Sequence, residues 1–326
     1  MNDLMFSVLV LTCNQENYIA QTLDSILQQK HNYLYEIIVG DDCSVDGTQA
    51  VISKYAAKYP KIVKPIFNEK NLGLIKNYFN VINHCKGKYI MQCAGDDWWL
   101  PGKVATQLEF METHEDVGMC YGKAMVFNES KNRYENNSIG SSQNSFDDLL
   151  AGNTIPAPTV CFRNSIFRQY IYEIVPNNKN WIMEDYPAWL WFSKESNIKY
   201  LDRDLVVYRV LENSASHSTD PEKQLSFEKN VYEIKNFYRK KYGYPLVTFD
   251  EEIRKINIVY RKLLSNYSLK DMRVLRELLS DTKHLSKKFR IIKFFTLNAV
   301  LFKIFLKLIQ IRNRILNVLF RRENAI

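Results

Sequence analysis

The chain reads as an α/β protein built on a doubly wound sheet, and three observations predict it. Short apolar runs alternate with amphipathic helical stretches through the first third of the sequence. The connections between them are short, which implies parallel strands joined by right-handed crossovers. The second and fourth runs each end in paired acids, Asp41-Asp42 and Asp96-Asp97, at the strand ends where open α/β sheets bind ligands.

The elements follow in order. Phe6 to Thr12 is a buried strand, and a helix beginning at Asn14 places Tyr18, Ile19, Leu23, Ile26 and Leu27 on one face. Glu36 to Gly40 is a second strand that runs into the polar turn Asp41 to Thr48. Ala50 to Tyr59 is a helix stopped by Pro60. Ile62 to Phe67 is a strand, Asn68 to Gly73 a loop and Leu74 to Cys85 a helix. Tyr89 to Cys93 is the fourth strand and leads to Asp96-Asp97. Beyond Pro101, Val104 to His114 is helical, whereas Val117 to Phe127 and Thr159 to Arg163 are strand-like. Residues 128–145 are polar and almost without apolar anchors, which predicts a mobile loop. Trp181 to Ser193 carries Glu184-Asp185 into an aromatic helix, and residues 221–285 are helical and charge-mixed.

Composition excludes several classes. Hydrophobic residues make up 46% and charged residues 25%, as in a globular protein with a real core. The cysteines at 13, 43, 85, 93, 120 and 161 form no CxxC pair and no zinc spacing, so reduced thiols and a cytoplasmic setting are expected. No basic region precedes the first apolar run, Met5 to Leu11, so no secretory signal is expected. No run approaches the ~18 uncharged residues of a spanning helix. The net charge of +8 is concentrated in residues 287–326, which hold ten Lys/Arg against Glu323 alone. The first 286 residues carry 34 basic and 35 acidic side chains, which argues against a nucleic-acid-binding body. Read as one helix, the tail shows a polar stripe of Lys293, Thr296, Lys303, Lys307, Gln310 and Arg314, interrupted by Val300, on an otherwise apolar surface. That pattern predicts a basic amphipathic helix lying in an anionic membrane interface. The ordinary alternative is a helix packed on the body or on a second subunit.

The first strand is not followed by GxGxxG, and no GxxxxGK[ST] is present, which removes dinucleotide and P-loop sites. Carboxylates at strand ends do not cradle phosphate. They accept from a uracil N–H or ribose hydroxyls, or they hold a cation that in turn holds a diphosphate.

Seven stretches occur in a characteristic order: Ser7 to Asn14, Ile37 to Thr48, Asn71 to Gly73, Gly87 to Ile90, Gly95 to Pro101, Glu184-Asp185-Tyr186 and Tyr208-Arg209. The set resembles inverting glycosyltransferases of family 2, of the bacterial surface-polysaccharide type. The resemblance implies a GT-A, Rossmann-like doubly wound mixed sheet over residues 1–220, a helical extension over 221–286 and the amphipathic tail over 287–326. It implies Asp185 as catalytic base, with Glu184 the alternative. Thr12, Asn14, Asp41, Asp42, Asp96 and Asp97 would line the donor site, with Asp42 reading uracil or ribose. Asp96 matches the last acid of the family's Asp-x-Asp metal motif for Mg²⁺ or Mn²⁺, but Ala94 stands where the first acid belongs. Arg209 is a diphosphate contact or an ion-pair partner, and His217 a metal or diphosphate contact or a surface residue. Ordinary roles stay open as well: turn capping for Asp42, helix capping for Thr12, Asn14 and Asp185, and core packing for Trp98 and Trp99. The implied partners are a nucleotide-diphospho-sugar, a UDP-sugar first, and a lipid-linked glycan at the cytoplasmic face of the membrane, with peripheral attachment and no nucleic acid. The rival readings are a catalytically silent relative, suggested by Ala94, and a basic nucleic-acid-binding protein.

Overall fold

The computed structural model describes residues 4–211, 220–282 and 285–323, with side chains through 313. The chain divides into two compact units, residues 1–214 and 215–326.

The first unit begins with β1 (Phe6–Thr12), α1 (Ile19–Leu27), β2 (Tyr35–Asp41), α2 (Thr48–Lys58), β3 (Val63–Phe67), α3 (Leu74–His84) and β4 (Tyr89–Ala94). It continues with β5 (Trp98–Trp99), α4 (Lys103–Thr113), β6 (Val117–Asn128), β7 (Arg133–Tyr134) and α5 (Phe146–Ala151). β8 (Cys161–Arg163), α6 (Asn164–Ile174), α7 (Asp185–Glu195) and β9 (Asn197–Val210) complete it. These strands form one mixed sheet in the order β3-β2-β1-β4-β8-β6-β9-β5, with β7 paired to β6. The first four strands are parallel, and β8 runs antiparallel between β4 and β6. The chain winds outward from β1 to β3 and then crosses to the other side of β1 for β4. In open α/β sheets such a reversal places the ligand crevice at the carboxyl ends of the flanking strands, here β1 and β4. Thr12 lies in register with Asp41, and Leu11 with Ala94, so the ends of three strands form one row.

The parallel strands are buried on both faces, as their apolar runs require. Val8, Val10, Ile37, Val39 and Met91 are fully buried, covered on one side by Ile19, Leu23 and Ile26 of α1. α7 is apolar nearly all round because Trp189, Leu190, Trp191 and Phe192 are all buried.

The structure differs from the sequence-based expectations at four places. The helix expected from Asn14 begins at Ile19, because Asn14 has a left-handed φ of +54° and sits in a loop. Residues 128–145 are an ordered excursion rather than a mobile loop. β7 pairs with β6, Ala124 and Ile139 exchange backbone hydrogen bonds, and the Tyr121 hydroxyl binds Gln143 through both its N–H and its C=O. Main-chain pairing supplies the order that apolar anchors do not. β9 is masked by its charges, Lys199, Asp202, Arg203 and Asp204, which sit on a strand with an exposed middle. Finally, the tail is two helices rather than one.

The second unit comprises α8 (Pro221–Lys241), α9 (Glu251–Ser265), α10 (Leu269–Asp281), α11 (Lys287–Phe295) and α12 (Ala299–Glu323). Asp220, Asp250, Ser268 and Ser286 cap the first four of these. Thr296 closes α11, and Asn298 restarts the helix by accepting from the N–H groups of Val300 and Leu301 at 2.9 and 3.1 Å. Phe289, Ile292, Phe302 and Leu306 of the tail share a core with Ile256, Leu263, Leu275 and Leu279. One apolar face of the tail is therefore internal.

Two glycines test the packing of the first unit. A Cβ on Gly87 would meet the Phe6 carbonyl carbon at 2.4 Å, whereas one on Gly152 would meet nothing within 4 Å. Gly87→Ala is expected to lower stability by about 1–3 kcal/mol or more and Gly152→Ala to leave it nearly unchanged, as read by denaturant unfolding.

Candidate active site

The site grows from the row of strand ends. Gly95 donates its N–H to Leu11 O at 2.8 Å, and a Cβ there would lie 2.7 Å from Thr12 Oγ1. Glycine therefore lets the turn after β4 fold down onto the loop after β1. In that loop the Thr12 hydroxyl donates to Gln15 Oε1 at 2.8 Å. Asn14 clasps the turn after β2: its N–H donates to Ser44 Oγ at 2.8 Å, and its Oδ1 accepts from Val45 N–H at 2.9 Å. Neither residue caps a helix, since Tyr18 holds the cap position of α1.

The paired acids after β2 split their work. Asp41 is fully buried and accepts from Ser44 N–H at 3.0 Å, from the Ser44 hydroxyl and from Gln49 Nε2 at 2.7 Å. It shapes the turn from inside. Asp42 reaches across to the 68–73 loop, accepting from Leu72 N–H at 2.7 Å, Gly73 N–H at 2.9 Å and Asn68 Nδ2 at 3.0 Å. Asn68 also donates to Asn77 of α3 at 2.9 Å, and Asn77 donates to Gly40 O at 3.1 Å.

The paired acids after β4 also diverge. Asp97 points inward and is 1% exposed. Its Oδ1 accepts the Arg209 backbone N–H at 2.8 Å, and its Oδ2 has no hydrogen-bond partner among the described residues. Burial, then the Asp96 charge, hold its pKa well above the usual carboxylate range. Asp96 remains at the edge, partly exposed; burial raises its pKa, and Arg209 and Gln15 oppose the rise. Arg209 is spent internally. Its guanidinium lies 4.6 Å from the Tyr18 and Trp98 ring centres, pairs with Glu129, and donates to Gln21 at 2.6 Å and to Asp96 O at 2.8 Å. The pair with Glu129 is one of the two roles the sequence leaves open to it. Trp99 is core, with its indole N–H on Gln92 O at 3.3 Å, whereas Trp98 is half-buried against Arg209.

Glu184 and Asp185 open α7, and neither caps it through its side chain in the usual way. Their charges act on two buried tyrosines, Tyr78 of α3 and Tyr170 of α6, whose pKa values burial already raises. Tyr78 accepts from Gln92 Nε2 at 2.8 Å, and Gln92 is on β4, two residues before Ala94. α3 thus connects to Asp42 through Asn77 and Asn68, and its Tyr78 feels the charges of Glu184 and Asp185. Burial, then the Asp185 charge, push Glu184 up to about 8. Burial also raises Asp185, but the Tyr186 N–H, donating to its Oδ1 at 2.6 Å, favours its charged form. Beside the Asp185 charge, Glu184 keeps its proton near neutral pH. His217 lies outside the described residues. No cluster of three or more metal-ligating side chains occurs among the described residues.

A family model described as "Glycosyl transferase family 2" matches residues 7–175, just over half of the chain and all of the strand-end row. The chain belongs to glycosyl transferase family 2. An uncharacterized protein of Mycobacterium tuberculosis is 29% identical over 231 residues, 68% of this chain and 63% of that protein. The chain therefore aligns with under two thirds of this family relative. The Escherichia coli protein WfgD, named UDP-Glc:alpha-D-GlcNAc-diphosphoundecaprenol beta-1,3-glucosyltransferase, is 22% identical over 231 residues, 71% of this chain and 86% of that protein. Among solved structures, residues 1–349 of S. aureus TarS in complex with UDP-GlcNAc superpose with a TM-score of 0.58 at 18% identity, over 85% of this chain and 80% of that one. The sheet is thus of the GT-A type found in TarS.

Sequence reasoning missed the connectors within this family 2 site: Gln15, Asn68, Asn77, Tyr78 and Gln92. Gln92 left a trace, as the one carboxamide within the apolar run Tyr89–Ala94. Tyr78 left none, because an aromatic residue on a helix reads as core.

The raised Glu184 makes stability pH-dependent in a defined sense. Its carboxyl keeps its proton in the fold up to about 8 but loses it near the ordinary value of 4.5 when unfolded. Its contribution is full below that lower value and is lost as pH rises through the upper one. Glu184→Gln is expected to raise Tm at pH 9 relative to the parent, and by clearly less at pH 5, as read by calorimetry.

Proposed function

We propose that the chain is an inverting glycosyltransferase that moves a sugar from a nucleotide-diphospho-sugar, a UDP-sugar, to a hydroxyl of a lipid-linked glycan during surface-polysaccharide assembly. The observation that carries this reading is the Glu184-Asp185 pair at the start of α7, where burial and the Asp185 charge push Glu184 up to about 8 while the Tyr186 N–H favours the charged form of Asp185. The names of WfgD and of the TarS complex support the donor class and, for WfgD, a lipid-linked acceptor.

In this reading residues 1–220 do the chemistry. Three donors fill all but about one of the roughly four acceptor sites of the Asp42 carboxylate, which leaves a site suited to a uracil N–H or ribose hydroxyl. Thr12, Asn14 and Asp41 hold the loops that frame it. Asp185 takes the acceptor proton as the acceptor oxygen attacks the anomeric carbon. The bond from that carbon to the diphosphate oxygen breaks, and the nucleoside diphosphate leaves with the electron pair. A base placed in this way contributes about 10²–10⁴ in rate, and alignment of the two substrates contributes more.

The residues present fit Mg²⁺ or Mn²⁺. Asp96 is a single hard carboxylate at the edge, its charge disfavoured by burial, and Mg²⁺ commonly takes one or two protein carboxylates and completes its shell with water and substrate phosphates. A cation held there would supply charge neutralisation for the leaving diphosphate. Ala94 removes a second carboxylate, which leaves Asp96 as the proposed protein ligand. The intact acid pair at the start of α7 weighs against the catalytically silent reading.

The second unit supports attachment to an anionic membrane at the cytoplasmic face. Besides its internal face, α12 carries a second apolar stripe, with Val300 68%, Ile304 51% and Leu308 60% exposed. Phe294 of α11 is 65% exposed, and Lys293, Lys303 and Lys307 share these helices. No described helix is long and apolar enough to cross a membrane, so the proposal is interfacial binding.

Asp185→Asn is expected to cut sugar transfer by about 10²–10⁴ without weakening nucleotide-sugar binding, and Glu184→Gln to retain most transfer at pH 7. A panel of nucleotide sugars, assayed by thermal stabilisation and turnover with Mg²⁺ or Mn²⁺, checks this; full activity of Asp185→Asn would overturn it. Ile304→Glu with Leu308→Glu is expected to abolish co-sedimentation with anionic vesicles while leaving helix content intact by circular dichroism.

A further inference from the structure

We infer that the groove between α3 and residues 177–182 is the acceptor subsite and that it selects a negatively charged glycan, an inference that rests on the transferase reading above. The groove encloses about 730 Å³, within the range of ~300–1,000 Å³ usual for small-ligand sites. Its polar lining is carboxamides and ammonium groups: Asn80, Asn83, Asn177, Asn180, Lys76 and Lys179, with no carboxylate among the described lining residues. Carboxamides both donate and accept, which matches the alternating demands of sugar hydroxyls. Arg168 donates to Asn83 Oδ1 at 3.1 Å, so the Asn83 amide nitrogen is left as the donor end. Trp181, half-buried at the rim, adds an aromatic wall against which the apolar face of a sugar ring can lie.

Position links this groove to the chemistry. One wall runs from Asn177 to Ile182 and enters Glu184-Asp185 two residues later. The other includes Leu72, whose N–H holds Asp42 at 2.7 Å. A glycan lying here has the base at one end and the donor loop beside it. Lys76 and Lys179 give the groove a positive field, which favours an anionic glycan over a neutral one. A carboxylate, as on a uronic acid, or a phosphodiester meets that field equally well; the shared chemistry is an anionic group on the acceptor glycan.

The test uses the full chain and three probes: a glucuronate-containing oligosaccharide, a glycerol phosphate oligomer and a neutral cello-oligosaccharide, titrated by calorimetry in the presence of a stabilising nucleotide sugar. At least one anionic probe is expected to bind tenfold or more tightly than the neutral one, with an affinity that falls as salt rises, and the tighter anionic probe identifies the carboxylate or the phosphodiester. Lys76→Gln with Lys179→Gln is expected to remove that preference while nucleotide-sugar stabilisation stays at the parent level. Asn177→Ala is expected to weaken all three probes. Equal binding of charged and neutral probes, binding by none of them, or a preference that survives the double substitution would overturn the inference. Failure of every nucleotide sugar to stabilise the parent chain would instead overturn the transferase reading on which it rests.

Discussion

The first unit depends on one buried carboxylate. Asp97 is withdrawn from water, accepts the backbone N–H of Arg209 at 2.8 Å, and so fastens β9 onto the turn after β4. The Arg209 side chain completes the clamp on the Asp96 carbonyl at 2.8 Å, between the Tyr18 and Trp98 rings. Burying a carboxyl this deeply is costly unless its partners are held in place. The stacked rings, Glu129 and Gln21 hold Arg209 there. With one acid of the turn drawn inward, its neighbour Asp96 is left at the carboxyl edge, partly exposed.

A second constraint organises the other side of the crevice. α3 is a polar strut as much as an apolar one. Asn77 ties it to the end of β2 and, through Asn68, to Asp42, while Tyr78 ties it to β4 and stands beside the acids of α7. Burial and the Asp185 charge push Glu184 up to about 8, although both acids stay partly exposed at the start of a helix whose Trp189 and Trp191 are fully buried. The half-buried helix start thereby favours a proton on Glu184.

Much of this arrangement is legible in the amino-acid sequence. The four parallel strands announce themselves through apolar runs closed by polar turns, and the acids at their ends mark the ligand edge. Glu184-Asp185 stands out through its order relative to those turns. The rest is hidden for physical reasons. Arg209 and Asp97 meet across 112 positions, and no local pattern encodes such a pairing. β9 carries charge on its solvent face, and its sequence pattern announces no strand. Residues 128–145 are held by main-chain hydrogen bonds, which leave no trace in side-chain hydropathy. The tail advertises one amphipathic helix, but Phe302 and Leu306 serve an internal core while Ile304 and Leu308 face outward, and composition alone does not divide two apolar faces.

Family membership fixes the architecture; the chemistry rests on whether Asp42, Asp96 and Asp185 serve one substrate. The most direct measurement is a crystal structure with UDP and Mn²⁺, phased to show the manganese anomalous signal. The expected result is uridine against Asp42, the anomalous peak bonded to Asp96, and the β-phosphate on the side of the crevice facing Asp185. A nucleotide seated away from the ends of β1 and β4, or a manganese peak remote from Asp96, would contradict it.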